Sequence, residues 1–210
     1  MSLRPLRLYV DHVFTSPYAM SVFVTLREKG LAFDTVTLDL EAAQHHAADF
    51  AQLSVTRRVP TLVEGDFALS ESSAITEYLE QAYPQTPVYP ADPKQRARAR
   101  QVQAWLRSDL LPIRQERSTL VVFYGHKMPP LTPVAQAAAA KLISAAQALL
   151  AGNPAYLFGE WSIADLDLAV MLNRLILNGD PVPAELVDYA QRQWDRPSVQ
   201  AWLNLQRQPL

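Results

Sequence analysis

The chain contains no cysteine. That absence excludes disulfide bridges, thiol–disulfide exchange, cysteine-ligated zinc and any cysteine nucleophile. Long apolar runs are missing too. No stretch approaches the roughly 18 residues that a membrane-spanning helix needs, and residues 1–10 carry no apolar core of a signal peptide. A soluble, cytoplasmic protein is therefore the expectation. Neither sign of charge is in excess: the formal net charge is −2, whereas a nucleic-acid partner calls for a basic face. Apolar side chains are plentiful, at 49% of 210 residues, which suits a folded chain of one large or two small domains.

The two halves read differently. Leu6 to Val10 and Phe33 to Leu38 alternate like strands, and Pro60 to Glu64 and Phe67 to Leu69 are two short strands around a Gly65-Asp66 turn. Between them, Pro17 to Lys29 reads as a helix opened by proline and closed by Gly30. Glu41 to Leu53 reads as an Ala-rich helix, and Ser72 to Tyr83 as a helix with Ala74, Ile75, Tyr78 and Leu79 on one face. The order β-α-β-α-β-β-α predicts a mixed sheet flanked by helices. Pro84, Pro87, Pro90 and Pro93 then crowd one short stretch, a stiff linker rather than a helix. The boundary is set there: a first domain over 1–84, a linker over 85–93 and a second domain over 94–210.

Every long periodic segment of the second half is helical. Val102, Trp105, Leu106, Leu110 and Ile113 mark one helix, which Pro112 should kink or end. Pro133 to Ala151 is Ala-rich. Ile163 to Leu177 is apolar nearly all round, as at the centre of a bundle. Shorter helices follow near Ala184 to Trp194 and Ser198 to Arg207. The Arg96, Arg98 and Arg100 row reads as a wet helix face. His45-His46 lacks metal-ligand spacing, so no metal site is expected, and His12 reads as a solvated loop residue. Tyr124 and His126 fall in a long 118–132 connection and are candidates to line an acceptor pocket.

Four short constellations carry chemistry or its scaffold. Thr15 and Ser16 precede Pro17, where a helix N-terminus favours an anion; the same hydroxyls also suit a plain helix cap. Val59-Pro60 opens a strand. A cis bond there would turn the Val59 backbone toward a peptide ligand, while a trans bond would make it an ordinary strand start. Glu71 and Ser72 stand where a strand hands over to a helix. They offer a carboxylate for an ammonium group and a hydroxyl with backbone N–H for a carboxylate, or merely a capped helix with an exposed Glu. Ser162 and Asp165 have capping-box spacing, with Trp161 and Leu166 at the staple positions.

In order and spacing, these motifs resemble the cytosolic glutathione transferase family. Ser16-Pro17-Tyr18 resembles its S-P-Y helix start. Val59-Pro60-Thr61-Leu62 resembles its V-P-x-L segment with the cis-proline. Glu71-Ser72-Ser73-Ala74-Ile75 with Tyr78-Leu79 resembles E-S-x-A-I-x-x-Y-L, and Ser162 to Leu166 resembles the S-I-A-D capping box. The stretches 96–110, 158–161 and 186–190 look like the YfcF-like bacterial members. One departure is clear: the family's N-P-x-G is replaced by Ser54-Val55-Thr56-Arg57, which leaves the course of the chain entering the site open.

The resemblance implies a thioredoxin-like N-terminal domain with a mixed four-stranded sheet, an all-helical C-terminal domain and usually a homodimer. It implies glutathione as co-substrate and small electrophiles, or organic hydroperoxides through a peroxidase activity, as the other substrate. Ser16 would donate a hydrogen bond to the glutathione sulfur, with Tyr9 as the alternative and Thr15 as a substitute donor. Val59 would pair with the cysteinyl backbone, Glu71 and Ser72 would hold the γ-glutamyl ammonium and carboxylate, and Arg58 would meet the glycine carboxylate. Pro60, Ser162 and Asp165 would be structural. Relatives that use a catalytic cysteine, thiol transferases and dehydroascorbate reductases, rank low because this chain has none. The rival of another class is a non-catalytic glutathione-binding or regulatory module of the same fold.

Overall fold

The computed structural model describes residues 5–152 and 155–209. They fall into two compact units: one holds the residues up to Val88 together with those from Ala201 onward, and the other runs from Tyr89 to Gln200. The described residues 201–209 cluster with the first unit, where fully buried Trp202 meets Phe14 and Phe23 edge-on at centroid separations of 5.7 and 5.2 Å.

In the first unit, β1 (Leu6–Asp11), β2 (Phe33–Leu38), β3 (Thr61–Glu64) and β4 (Phe67–Ser70) form one sheet of order β2-β1-β3-β4. β1 and β2 are parallel, and the other two pairings are antiparallel. Parallel strands need a crossover, supplied by α1 (Pro17–Glu28). β3 and β4 need only the Gly65 turn, at φ +62°. Leu6, Leu8 and Val10 alternate into the core. α1 packs on α3 (Ser72–Ala82), which presents Ile75 and Leu79.

The two helices are also pinned by ions. Lys29 Nζ meets Glu80 at 2.7 Å, with side chains 1% and 6% exposed, and donates to the carbonyls of Tyr83 and Thr86 at 3.0 and 2.8 Å. Such a buried pair is tolerable because its remaining hydrogen-bonding capacity is filled. Glu64 accepts from the hydroxyls of Tyr78 and Tyr83 at 2.5 and 2.8 Å. Burial and that carboxylate push Tyr83 up to about 12, so its phenol stays a neutral donor throughout the ordinary pH range.

The 41–53 segment is less helical than its composition predicts. It holds a 3-10 turn at Gln44–His46 and a short α2 (Ala48–Leu53). Ala43 at φ +57° breaks the chain direction, and no side chain caps either element.

The second unit contains α4 (Pro93–Ser108), α5 (Leu111–Glu116), α6 (Thr119–Tyr124), α7 (Pro133–Leu149), α8 (Ile163–Ile176) and α9 (Ala184–Trp194). α10 (Pro197–Leu203) crosses into the first unit's C-terminal segment. α4 ends before Pro112, and Leu110 at φ +60° redirects the chain into α5. The 118–132 connection is not all loop, since Ser118 caps α6. α8 is the centre: it packs on α4, α5, α6, α7 and α9, and from Ile163 to Leu175 every residue but Asp167 is buried. Asp167 instead meets Arg107 and Gln103 at 3.0 and 2.7 Å. Arg98 and Arg100 are exposed.

Asp165 anchors the start of α8. Its Oδ2 accepts the Ser162 N–H and O–H at 2.8 and 2.9 Å, and its Oδ1 accepts the Leu157 N–H and the Tyr189 O–H at 2.8 and 2.9 Å. Ser162 and Asp165 together form the capping box. Trp161 lies under Arg196, whose guanidinium carbon is 4.1 Å from the ring centroid. Among the described residues no helix is long and apolar enough to cross a membrane.

Candidate functional site

The sheet register gathers the candidate residues of the first unit. Tyr9 stands opposite Thr61, and Thr61 opposite Ser70. The loop leaving β1, the loop entering β3 and the turn leaving β4 therefore emerge at one edge of the sheet, on strands about 4.8 Å apart. Ser16, Val59 and Glu71-Ser72 belong to those three segments. The parallel β2 ends at the same edge, bringing Asp39 within 3.8 Å of the His12 ring.

Ser16 is the N-cap of α1. Its Oγ accepts the Ala19 N–H at 3.2 Å, and Pro17 occupies the first helical position. The organiser of this loop is Asp11, only 2% exposed. Its carboxylate accepts the Thr15 N–H at 2.6 Å, the Thr15 O–H at 3.1 Å and the Ser16 N–H at 3.1 Å. This changes the chemistry expected at the helix start. The amide of Ser16 is spent on Asp11, that of Ala19 on Ser16, and Pro17 has none. Thr15 is spent as well, which removes it as a substitute donor. The Ser16 hydroxyl, while accepting from Ala19, keeps its own proton to donate. Tyr9 packs its ring on Phe50 of α2, with centroids 5.5 Å apart. Sequence reasoning missed Asp11. The signal was an acidic residue ending a strand otherwise built for the core, four and five positions before two hydroxyl residues.

The Val59–Pro60 bond is cis, and Pro60 is buried. The segment that replaces N-P-x-G is organised by Ser54, which is fully buried. Ser54 Oγ accepts the Arg58 N–H at 3.3 Å, and Thr61 Oγ1 donates to the Arg58 carbonyl at 2.8 Å. Arg57 takes the turn at φ +51°. The backbone of Arg58 is thus used internally while its side chain is exposed. Glu71 is exposed at φ +75° and Ser72 is buried at the first position of α3, whose N-terminus no side chain caps. A cavity of about 610 Å³ is bordered by Gln52, Thr56, Phe67, Leu69 and Glu71; Ser16, Arg58, Val59 and Ser72 do not line it.

The His45 and His46 rings meet at a tilt of 45°, with centroids 4.0 Å apart. Among the described residues no group of three or more acidic or histidine side chains could hold a metal ion. In the second unit, Tyr124 ends α6, and His126 lies 6.3 Å away, centroid to centroid, across Gly125.

Residues 12–87 match the N-terminal and residues 92–208 the C-terminal domain of glutathione S-transferases. The chain belongs to the glutathione S-transferase family. Glutathione S-transferase 3 of Zea mays is 32% identical over 212 residues, covering 95% of this chain and 88% of the relative. Mouse glutathione S-transferase theta-3 is 35% identical over 130 residues, 60% of this chain and 53% of the relative. The match to the theta relatives thus spans about half their length. A glutathione transferase homolog from Burkholderia, crystallised with bound glutathione, is 45% identical, with a TM-score of 0.78, covering 95% of this chain and 96% of that one. The four-stranded mixed sheet followed by a helical domain is the family's fold, as the sequence motifs implied.

Proposed function

We propose that this member of the family is a working glutathione transferase, which activates the thiol of glutathione as a thiolate for attack on small electrophiles. The observation that carries this reading is the convergence of three loops at one sheet edge. They supply a hydroxyl with an uncommitted proton at Ser16, a strand-opening backbone at Val59, and an exposed carboxylate beside an uncapped helix N-terminus at Glu71 and Ser72. These groups match the tripeptide in kind. A thiolate takes the hydroxyl, the cysteinyl amide pairs with Val59, and the γ-glutamyl end takes both the Glu71 carboxylate and the α3 N-terminus. Arg58, with its free-standing side chain, is assigned to the glycine carboxylate. The bound glutathione of the Burkholderia homolog supports the same ligand here.

Glu71→Gln keeps the size and removes the charge. A hydrogen bond to a charged group contributes about 1.5–3 kcal/mol, and the exposure of Glu71 favours the low end. Calorimetry should therefore show glutathione affinity about tenfold weaker, at roughly 1.4 kcal/mol per decade; an unchanged affinity would make Glu71 a surface residue. Turnover of a model electrophile separates this reading from the non-catalytic module of the same fold. The stretches 96–110 and 158–161 support placing the chain with the YfcF-like bacterial members. The family's usual homodimer belongs to the same proposal: light scattering should give about twice the 23.5 kDa chain mass, and a concentration-independent monomer would remove it.

A further inference from the structure

The loop that carries Ser16 is held from a second side, by the far end of the chain. Arg207 Nη2 donates to the Phe14 carbonyl at 3.2 Å and to the Trp202 carbonyl at 3.2 Å. Its Nη1 donates to the carbonyls of Leu203 and Leu205 at 2.7 and 3.2 Å. One guanidinium thus closes the end of α10, where a positive charge and fixed donors are favoured, and grips a residue 193 positions earlier. Trp202, fully buried, holds the Phe14 ring edge-on from the same segment.

Phe14 is the hinge of the loop. It sits at φ +51°, a left-handed conformation that a phenylalanine adopts only when its surroundings impose it. Its N–H donates to the Asp11 carbonyl at 3.1 Å, and its carbonyl goes to Arg207. Those two anchors fix the peptide plane that leads into Thr15, and so aim the Thr15 and Ser16 amides at the Asp11 carboxylate. Without Arg207, the Phe14 carbonyl loses its anchor and the hinge can relax.

We propose that Arg207, seated by Trp202, is a positioning residue for the Ser16 hydroxyl, tying the C-terminal segment to the activation of the glutathione thiol. This rests on Ser16 being the donor to the sulfur. Arg207 acts through the loop and need not touch glutathione. Small displacements of a positioned donor are costly to catalysis, whereas the groups assigned to the γ-glutamyl end lie on a separate turn.

The test uses the full chain with Arg207→Ala, Arg207→Gln, Ser16→Ala and the double variant Ser16→Ala/Arg207→Ala. For each, the thiolate absorbance of bound glutathione is titrated against pH, and kcat and KM are measured. Arg207→Ala should raise the thiol pKa by about one unit, from ~6.5 to ~7.5, leaving about threefold less thiolate at pH 7. It should lower kcat in proportion, with KM for glutathione within about twofold. In the Ser16→Ala background the same change should add no further shift, because both act through one donor. An effect on folding alone would reduce active protein without moving the titration. Should Arg207→Ala fail to bind glutathione, Arg207→Gln, whose shorter side chain cannot span the four carbonyls that Arg207 joins, decides in its place and should shift the titration in the same direction. A glutathione-binding Arg207 variant that titrates like the wild type, while Ser16→Ala shifts, overturns the proposal and leaves the Ser16 reading intact. A shift that persists in the Ser16→Ala background overturns the proposal too. If Ser16→Ala leaves the titration unmoved, the Ser16 reading fails and the proposal falls with it.

Discussion

Asp165→Ala should lower stability by about 3–4 kcal/mol, with the loss seen as an earlier denaturant midpoint of the helical unit. The carboxylate is fully buried and accepts four hydrogen bonds, from the Leu157 and Ser162 amides and from the Ser162 and Tyr189 hydroxyls. Its removal strands several buried donors, each costing about 1–3 kcal/mol. Part of that cost is offset because a desolvated carboxylate leaves with it. Ser162→Ala is the calibrating variant. It removes one cap hydroxyl while Asp165 keeps its other partners, so a loss of only about 1 kcal/mol is expected. Equal losses in the two variants would mean that Asp165 is an ordinary cap and not the centre of a network. The pH dependence has a definite sign. Burial pushes the Asp165 carboxyl up, against the pull of its donors. A group with a raised folded-state pKa contributes stability at low pH and loses it as pH rises through the folded value. Asp165→Ala should flatten that part of the stability profile.

Much of the architecture was legible because local signals agreed with one another. Pro17 and Gly30 bracket α1, Gly65 turns β3 into β4, and the unbroken apolar run from Ile163 announces the central helix. Where the signals were tertiary, the sequence reading failed. Glu41 to Leu53 has helix-forming composition, yet only Ala48–Leu53 is α-helical, because Ala43 takes a left-handed turn that composition does not encode. The contact of Trp202 with Phe14 and Phe23 joins residues far apart in sequence, and no local pattern reports it. The candidate site divides the same way. Hydroxyls and charges at Ser16, Glu71 and Ser72 could be picked out by residue type at element boundaries. The residues that hold those segments, Asp11, Ser54 and Arg207, act through backbone groups of other residues. Such contacts leave no periodicity to find.

Ser16→Ala should raise the pKa of bound glutathione by about two units and cut turnover at pH 7 by about 25-fold. A free thiol near pKa ~8.5 is only a few per cent thiolate at neutral pH. A value near ~6.5 would make the thiolate dominant, which corresponds to about 2.7 kcal/mol of preferential stabilisation at 1.36 kcal/mol per unit. The helix start cannot supply this through all its amides. The Ser16 N–H belongs to Asp11, the Ala19 N–H to Ser16 Oγ, and Pro17 has none. The Ser16 O–H is a side-chain donor of this loop whose proton no bond within the loop takes up, and a hydrogen bond to an anion is of the strength required. Serine is too weak a base to remove the proton, so its part is to stabilise the thiolate. Ser16→Ala also loses a cap, about 1 kcal/mol of folding stability, so turnover is compared per molecule of bound glutathione. Tyr9→Phe is the competing variant; with its ring packed on Phe50, it should leave the thiolate absorbance curve unchanged. A shift seen only in Tyr9→Phe would transfer the role to the phenol. No shift in either variant would assign thiolate stabilisation to backbone amides.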